Sequence, residues 1–368
     1  MRILILKFKT IGDVLLITPL LQNLKLQYPD SLIDVAVNIG TEDMLSLNPD
    51  INNIQIYNRS KNRGLSIFKY IYKEYQFIKN VYNKKYDVVI DLDQGDRGAI
   101  IAKCSGAVVK IGSKTIKSKM IRNTYTHFLP DREKRHIVEI GLDPLRSLNI
   151  SIIKKKVRIF WSDKDEYLVN KHLSKVNNFS LAIHRIIHVH PFSRGPHKEI
   201  DAVLMAKIID FCEMELNAKV VLTAAPEKAE LNKVYNIVKL CKSNPINLSG
   251  ELSLKQTAAL NKKAKLFIGV DTAIMHISAA NDTPVLAFFG PSGANHWGPW
   301  DNNMTQSSYT QNNGFQIMGK HRVFSESRKC QPCGKDGCNG TKVSDCLMNL
   351  DVDIIKENIQ EMMGEKNS

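Results

Sequence analysis

Four groups of residues in this 368-residue chain have the types and spacing to do chemistry. The densest is Asp271, Thr272 and His276, held between two short apolar runs, 265–270 and 284–289. The runs read as strands and 273–281 as a helix, which makes a parallel βαβ unit. Where strand gives way to helix, the first helical N–H groups lack backbone partners, so an anionic ligand fits there. Thr272 and His276 share a helix face, and Gly290-Pro291-Ser292-Gly293 closes the next strand on the same edge. A structural reading stands beside this one. Asp271 or Thr272 can simply cap the helix, and a single histidine can be a hydrogen-bonded core residue.

The second group centres on Asp13, which follows an opening apolar strand and the turn Lys9 to Gly12. Thr10 and Asp13 have the T-x-x-D spacing of a capping box, which is the structural account of this carboxylate. The third is the loop 190–198, where Ser193, Arg194 and Lys198 are donors able to neutralise a diphosphate, with Gly and Pro residues setting the turn. The fourth is Cys330, Cys333, Cys338 and Cys346, spaced C-x2-C-x4-C-x7-C. Four thiolates could hold zinc, although the spacing is not that of a common zinc ribbon. Reduced structural thiols are the alternative.

The elements that must position these groups follow a repeated β–α pattern. Residues 1–29 give a buried strand to Phe8 and an amphipathic helix, in which Pro19 forces a kink or a restart with Thr18 as cap. No G-x-G-x-x-G is present, so a dinucleotide fingerprint is absent. Strands follow at 32–38 and 54–57, and 65–82 has helical spacing with much of its aromatic content on one face. The next strand ends at Asp91-Leu92-Asp93, a superficial match to a D-x-D metal motif. Segments 136–140 and 157–161 finish the first half, and the boundary falls in 161–178, opened by Ser162 as a helix cap.

The second half restarts with a strand at 186–189, a helix at 201–216, a strand at 219–223 and helices at 226–241 and 254–261. The final helix spans 352–363. Two α/β halves that each begin afresh imply two Rossmann-like domains facing across a cleft.

Composition bounds the partners. Hydrophobic content of 43% and charged content of 24% are those of a soluble globular protein. No run approaches the roughly 18 to 20 apolar residues of a membrane span. The apolar start is broken by Lys7, Lys9 and Asp13, so it reads as a strand of a cytoplasmic protein rather than a signal peptide. A net charge of +14 asks for an anionic partner. Basic residues gather at Lys103, Lys110, Lys114, Lys117 and Lys119, joined by Arg122, Arg132, Lys134 and Arg135, and again at Arg59, Lys61 and Arg63. Cys104, Cys212 and Cys241 are scattered and read as buried thiols.

The string Asp271-Thr272, His276 and Gly290-Pro291-Ser292 resembles the nucleotide-sugar signature of glycosyltransferase family nine, the lipopolysaccharide heptosyltransferases. The cysteine tail resembles the third-heptose type. The resemblance implies an α/β fold of GT-B architecture, two facing Rossmann-like domains with a C-terminal helix returning to the first. The domains would be 1–165 for the acceptor and 166–350 for the nucleotide-sugar, with 351–368 as the returning helix. It implies Asp13, beside Gly12, as general base. It places the donor at Ser193, Arg194, Lys198, Glu227, Asp271, Thr272, His276, Gly290 and Pro291, and the acceptor at Lys9, Thr10, Gly12, Gln94 and Arg97.

The reaction so implied is inverting transfer of heptose from ADP-heptose to the lipid A-linked lipopolysaccharide inner core. No cofactor and no resident metal are called for. The enzyme would be a monomer, peripheral to the anionic inner face of the cytoplasmic membrane, with no nucleic-acid partner. Transfer at an earlier core step, or from another nucleotide-sugar, is the nearest alternative, and a binding-only relative is another. A basic nucleic-acid-binding protein with a C-terminal zinc module explains the charge and cysteines but not the paired β–α halves. A nucleotide-dependent oxidoreductase is disfavoured by the missing glycine fingerprint.

Overall fold

The computed structural model describes residues 1–58, 66–115, 119–131, 134–177 and 179–365. Arg59, Lys61, Arg63, Lys117 and Arg132 of the basic clusters lie outside them. The chain forms two compact units, dividing between Phe160 and Trp161.

Unit 1 contains β1 (Arg2–Lys7), α1 (Ile11–Leu15), α2 (Thr18–Gln27), β2 (Leu32–Asn38), β3 (Asn53–Tyr57), α3 (Ile67–Asn83) and β4 (Val88–Asp91). Then come α4 (Asp96–Cys104), β5 (Val109–Gly112), β6 (His127–Phe128), α5 (Ile137–Gly141) and α6 (Asp143–Ser147). Its six strands run parallel in the order β3-β2-β1-β4-β5-β6. Helices cover both faces of such a sheet, which is why Ile3 to Leu6 are apolar without alternation and at most 1% exposed. Chain connections leave β1 toward β2 on one side and β4 on the other, and a crevice opens at the strands' carboxyl ends where the direction switches. Pro19 does restart the helix: α1 ends at Leu15, α2 begins at Thr18, and Pro19 sits in its first turn.

Unit 2 contains α7 (Asp163–Leu173), β7 (Arg185–His190), α8 (Ala202–Asp210), β8 (Ala218–Leu222), α9 (Lys228–Leu240), β9 (Ile246–Asn247) and α10 (Leu254–Lys263). It continues with β10 (Ala264–Val270), α11 (Ala273–Ala280), β11 (Val285–Phe288), α12 (Ala294–Trp297), β12 (Gln316–Met318), β13 (His321–Phe324) and α13 (Val352–Met362). The seven strands are ordered β12-β13-β11-β10-β7-β8-β9, with only the β12–β13 pair antiparallel. Here the switch lies between β7 and β10. Ser162 opens α7 with a reciprocal capping box to Asp165, as its sequence position suggests.

Residues 137–141 form a helix capped by His136, while 151–162 carry no regular secondary structure. Much of the aromatic content of α3 does share one face, with Phe68, Tyr72 and Tyr75 exposed together while Phe77 packs inward; Leu65 lies outside the described residues. The final helix α13 falls within unit 2 and packs on α8, because Ile355 and Ile359 fill the same core as Leu204 and Ile208. Arg322 on β13 holds its outer side through Asn358 and Glu361.

Candidate active site

In unit 1 the crevice at the ends of β1 and β4 gathers an ionised cluster. Asp13, in the first turn of α1, accepts from the Thr10 hydroxyl at 2.6 Å and from the Thr10 N–H at 3.3 Å. Its other oxygen lies 3.4 Å from Lys7 Nζ, the last residue of β1. The two side chains are only 6% and 13% exposed, so this is a largely desolvated pair. Burial pushes the Asp13 carboxyl up, but Lys7 and the Thr10 contacts outweigh it and hold the group below the usual carboxylate value. It is therefore a carboxylate at neutral pH, aimed from the first turn of a helix.

Asp93 closes the other side. It accepts from Phe8 N–H at 2.6 Å, its second oxygen is buried with no hydrogen-bond partner among the described residues, and burial raises its pKa. Asp91 is wholly buried, accepting from the Tyr125 hydroxyl and from Asp93 N–H, and burial lifts it to about 7. Gly98 on α4 admits it: a Cβ there would lie 2.0 Å from Asp91 Oδ2. Both Asp91 oxygens are thus engaged in the fold, and among the described residues no group of three or more His, Cys, Asp or Glu is placed to hold a metal ion.

The pocket beside this cluster is lined by Lys7, Asp13, Gln94, Ser113 and Asp143 with apolar walls from Leu16, Ile17, Ile137 and Ile140. Gln94 is exposed at its rim, Gly12 is buried under it, and Lys9 and Thr10 are exposed on the turn. Arg97 is drawn off to one side, its guanidinium 4.5 Å from the Tyr57 ring. Lys7 and Ser113 were not singled out by sequence. The one marker of Lys7 was a cation ending an otherwise apolar strand.

In unit 2 the corresponding crevice holds Asp271, just past β10. Its Oδ2 accepts from Lys198 Nζ at 2.6 Å and from Ser292 Oγ at 2.6 Å, which joins the loops after β7, β10 and β11. Thr272 caps α11 through Met275 N–H, and His276, one turn on, is 4% exposed. Lys198 is thus paired with a carboxylate of the chain itself. Ser193 closes its own turn with Gly195, Arg194 is exposed, and Glu227 is exposed at the N-cap of α9. Beneath these loops a buried network joins β7, β8, α10 and α11: Thr223 meets His188 and His190 at 2.8 and 2.9 Å, and Asn261 meets His188 and Ser278.

Gly290 and Pro291 are buried under the cysteine tail. Gln331 Nε2 donates to Gly290 O, Gly334 N–H donates to Pro291 O, and a Cβ on Gly290 would lie 2.6 Å from Leu347. Cys346 is buried beside them, its thiol pushed up to about 11 chiefly by that burial, whereas Cys330 is exposed. The tail clamps the loop that carries Ser292, and among the described residues no group of three or more of its thiols is gathered as for a metal ion.

Comparison with known proteins gives the class of the two doubly wound units, a glycosyltransferase. The model of "Glycosyltransferase family 9 (heptosyltransferase)" matches residues 75–323. The chain is 31% identical over 298 residues to lipopolysaccharide heptosyltransferase 3 of Escherichia coli, covering 80% of this chain and 85% of that protein. In fold it is similar to a family 9 glycosyl transferase from Veillonella parvula, with a TM-score of 0.82, 19% identity and 99% and 98% of the two chains covered. It is likewise similar to E. coli heptosyltransferase WaaC with ADP, with a TM-score of 0.72, 18% identity and 98% and 100% covered. The chain belongs to glycosyltransferase family 9, and its α/β architecture is the GT-B fold of that family.

Proposed function

We propose that this enzyme moves heptose from ADP-heptose to the inner core of lipopolysaccharide with inversion, adding the third, branch heptose. The name of the 31% identical E. coli protein supports the step, and the ADP-bound neighbour supports the donor. The observation that carries the mechanism is the Lys7–Asp13–Thr10 cluster at the mouth of a pocket. Asp13 takes the proton of the acceptor hydroxyl as that oxygen bonds to the anomeric carbon. The bond to the ADP oxygen breaks on the opposite face and ADP leaves with the electron pair. Lys7 keeps the base ionised and oriented.

Unit 1, residues 1–160, takes the acceptor, with Gln94 at the pocket rim and Lys9, Thr10, Gly12 and Arg97 around the turn. Unit 2 takes the donor. Its diphosphate lies at the N-terminus of α11 beside Thr272, with Lys198 turning from Asp271 toward the new anion and Ser193, Arg194, His276, Gly290 and Pro291 shaping the site. Glu227 stands near the ribose. The enzyme works as a monomer in the cytoplasm, against the anionic inner face of the membrane where its lipid A-linked acceptor lies. No helix among the described residues is long and apolar enough to cross a membrane.

The test is mass spectrometry of products from ADP-heptose and acceptors bearing no, one or two heptoses. Gain of one heptose on the two-heptose acceptor alone is expected; gain on a shorter core would move the enzyme to an earlier step. Asp13→Asn should lower turnover about 10²- to 10⁴-fold while leaving donor affinity intact. Near-normal turnover would reduce Asp13 to a helix cap.

A further inference from the structure

Helix α3 is fastened to unit 1 by one face and leaves another uncovered. Phe77 packs edge-on against Phe8 and Tyr57, with ring centroids 6.4 and 5.4 Å apart. Val81 is fully buried, and Glu74 accepts from the Tyr57 hydroxyl. Beside this anchored face runs a second stripe of Ile67, Phe68, Ile71, Tyr72, Tyr75 and Tyr82, each between 48% and 81% exposed. Spacings of three and four place Ile67, Phe68, Ile71, Tyr72 and Tyr75 together on the helix surface, with Tyr82 two turns further along the same side. Single exposed apolar residues are ordinary, but five neighbouring ones with a sixth in line on one helix mark a surface that something covers.

The charges nearby say what. Lys69, Lys73 and Lys79 lie on the same helix, Lys79 Nζ is 5.8 Å from the Tyr75 ring, and Lys85 Nζ is 4.0 Å from the Tyr82 ring. Glu74 is the helix's sole acid, and it is spent on Tyr57. The stripe is aliphatic and aromatic, its tyrosines have polar tips, and its border is cationic in a protein of net charge +14. That combination matches the boundary between headgroups and acyl chains of an anionic bilayer.

We propose that α3 docks the enzyme on an anionic phospholipid surface, the stripe entering the headgroup region and the lysines meeting lipid phosphates. This rests on the reading of a lipid-linked acceptor, to which it gives an attachment point; it does not involve Asp13 or the donor loops.

The experiment is co-sedimentation of the full chain with phosphatidylcholine vesicles, with and without about a third phosphatidylglycerol. Binding to the anionic vesicles alone, weakened by salt, is expected. A Phe68→Ser, Ile71→Ser, Tyr75→Ser triple variant should bind at least about tenfold less, and so should Lys69→Glu with Lys73→Glu. Because these residues are exposed, both variants should keep their circular dichroism and their turnover on a short, lipid-free acceptor. No binding by the wild-type protein, or equal binding by the variants, overturns the proposal. So does wild-type self-association in sedimentation equilibrium that the triple variant abolishes, since the stripe would then face a second copy. Wild-type protein that binds vesicles but transfers no heptose leaves the docking face standing and overturns the proposed reaction instead.

Discussion

Lys7 and Asp13 are buried together, and each makes the other tolerable there: an unpaired charge at either position would carry its desolvation alone. Two consequences follow for turnover. In the wild-type enzyme, Asp13 sits below the usual carboxylate value, so the acid limb of kcat/KM should fall below about pH 4. In Lys7→Met the burial that raises the carboxyl remains and the largest opposing influence goes. The limb should therefore move to higher pH, with turnover at neutral pH down about tenfold and partly restored in Lys7→Arg. An unmoved limb would make Lys7 a packing residue only. Sequence showed Asp13 because the capping-box spacing is local. It hid Lys7, whose distance from Asp13 is set by the turn at 8–10, and it hid Ser113, which only the parallel register of β4 and β5 brings to the same edge.

At the scale of elements, the most readable stretch was β10–α11–β11, whose bounds the apolar runs located to within about a residue. Strands buried on both faces announce themselves as unbroken apolar runs. The tail was less readable because cysteines draw the eye, while the contacts that matter come from Gln331, Gly334 and Leu347, residues without a periodic pattern. Leu347 is completely buried, so Leu347→Ala should cost about 2–5 kcal/mol in stability. Since Leu347 backs Gly290 and thereby the loop carrying Ser292, KM for the donor should rise more than kcat falls. Denaturant melts with donor titrations decide it; a stability loss with unchanged KM would separate the tail from the loop. The core that receives α13 was not legible for a similar reason: helical spacing reveals an apolar face, not what it packs on.

Across the whole molecule, the two units carry opposite responses to acid. Burial holds His188 down to about 3 and His190 down to about 4, from an ordinary value of 6.5. Their contribution to unit 2 is present above pH 6.5 and is lost as pH falls toward 4. Glu199, raised by burial, opposes them with a single group. In unit 1, Asp91 is lifted to about 7, so its contribution is full below about pH 4 and is lost as pH rises through 7. The lowered carboxylates Asp13 and Asp34 act only below 3.8, outside this window. Moving from pH 7 to 5 should slow amide exchange in β1 and quicken it in β7, after correction for intrinsic rates, and Asp91→Asn should remove the first effect. Parallel changes in both strands would refute the assignment. The docking of α13 also orders events during synthesis. The described strands of unit 1 are complete by residue 128, but the core of unit 2 lacks Ile355 and Ile359 until those residues emerge. On the ribosome, a nascent chain stalled at residue 350 should therefore show a protease-resistant unit 1 beside a unit 2 that is still open to cleavage.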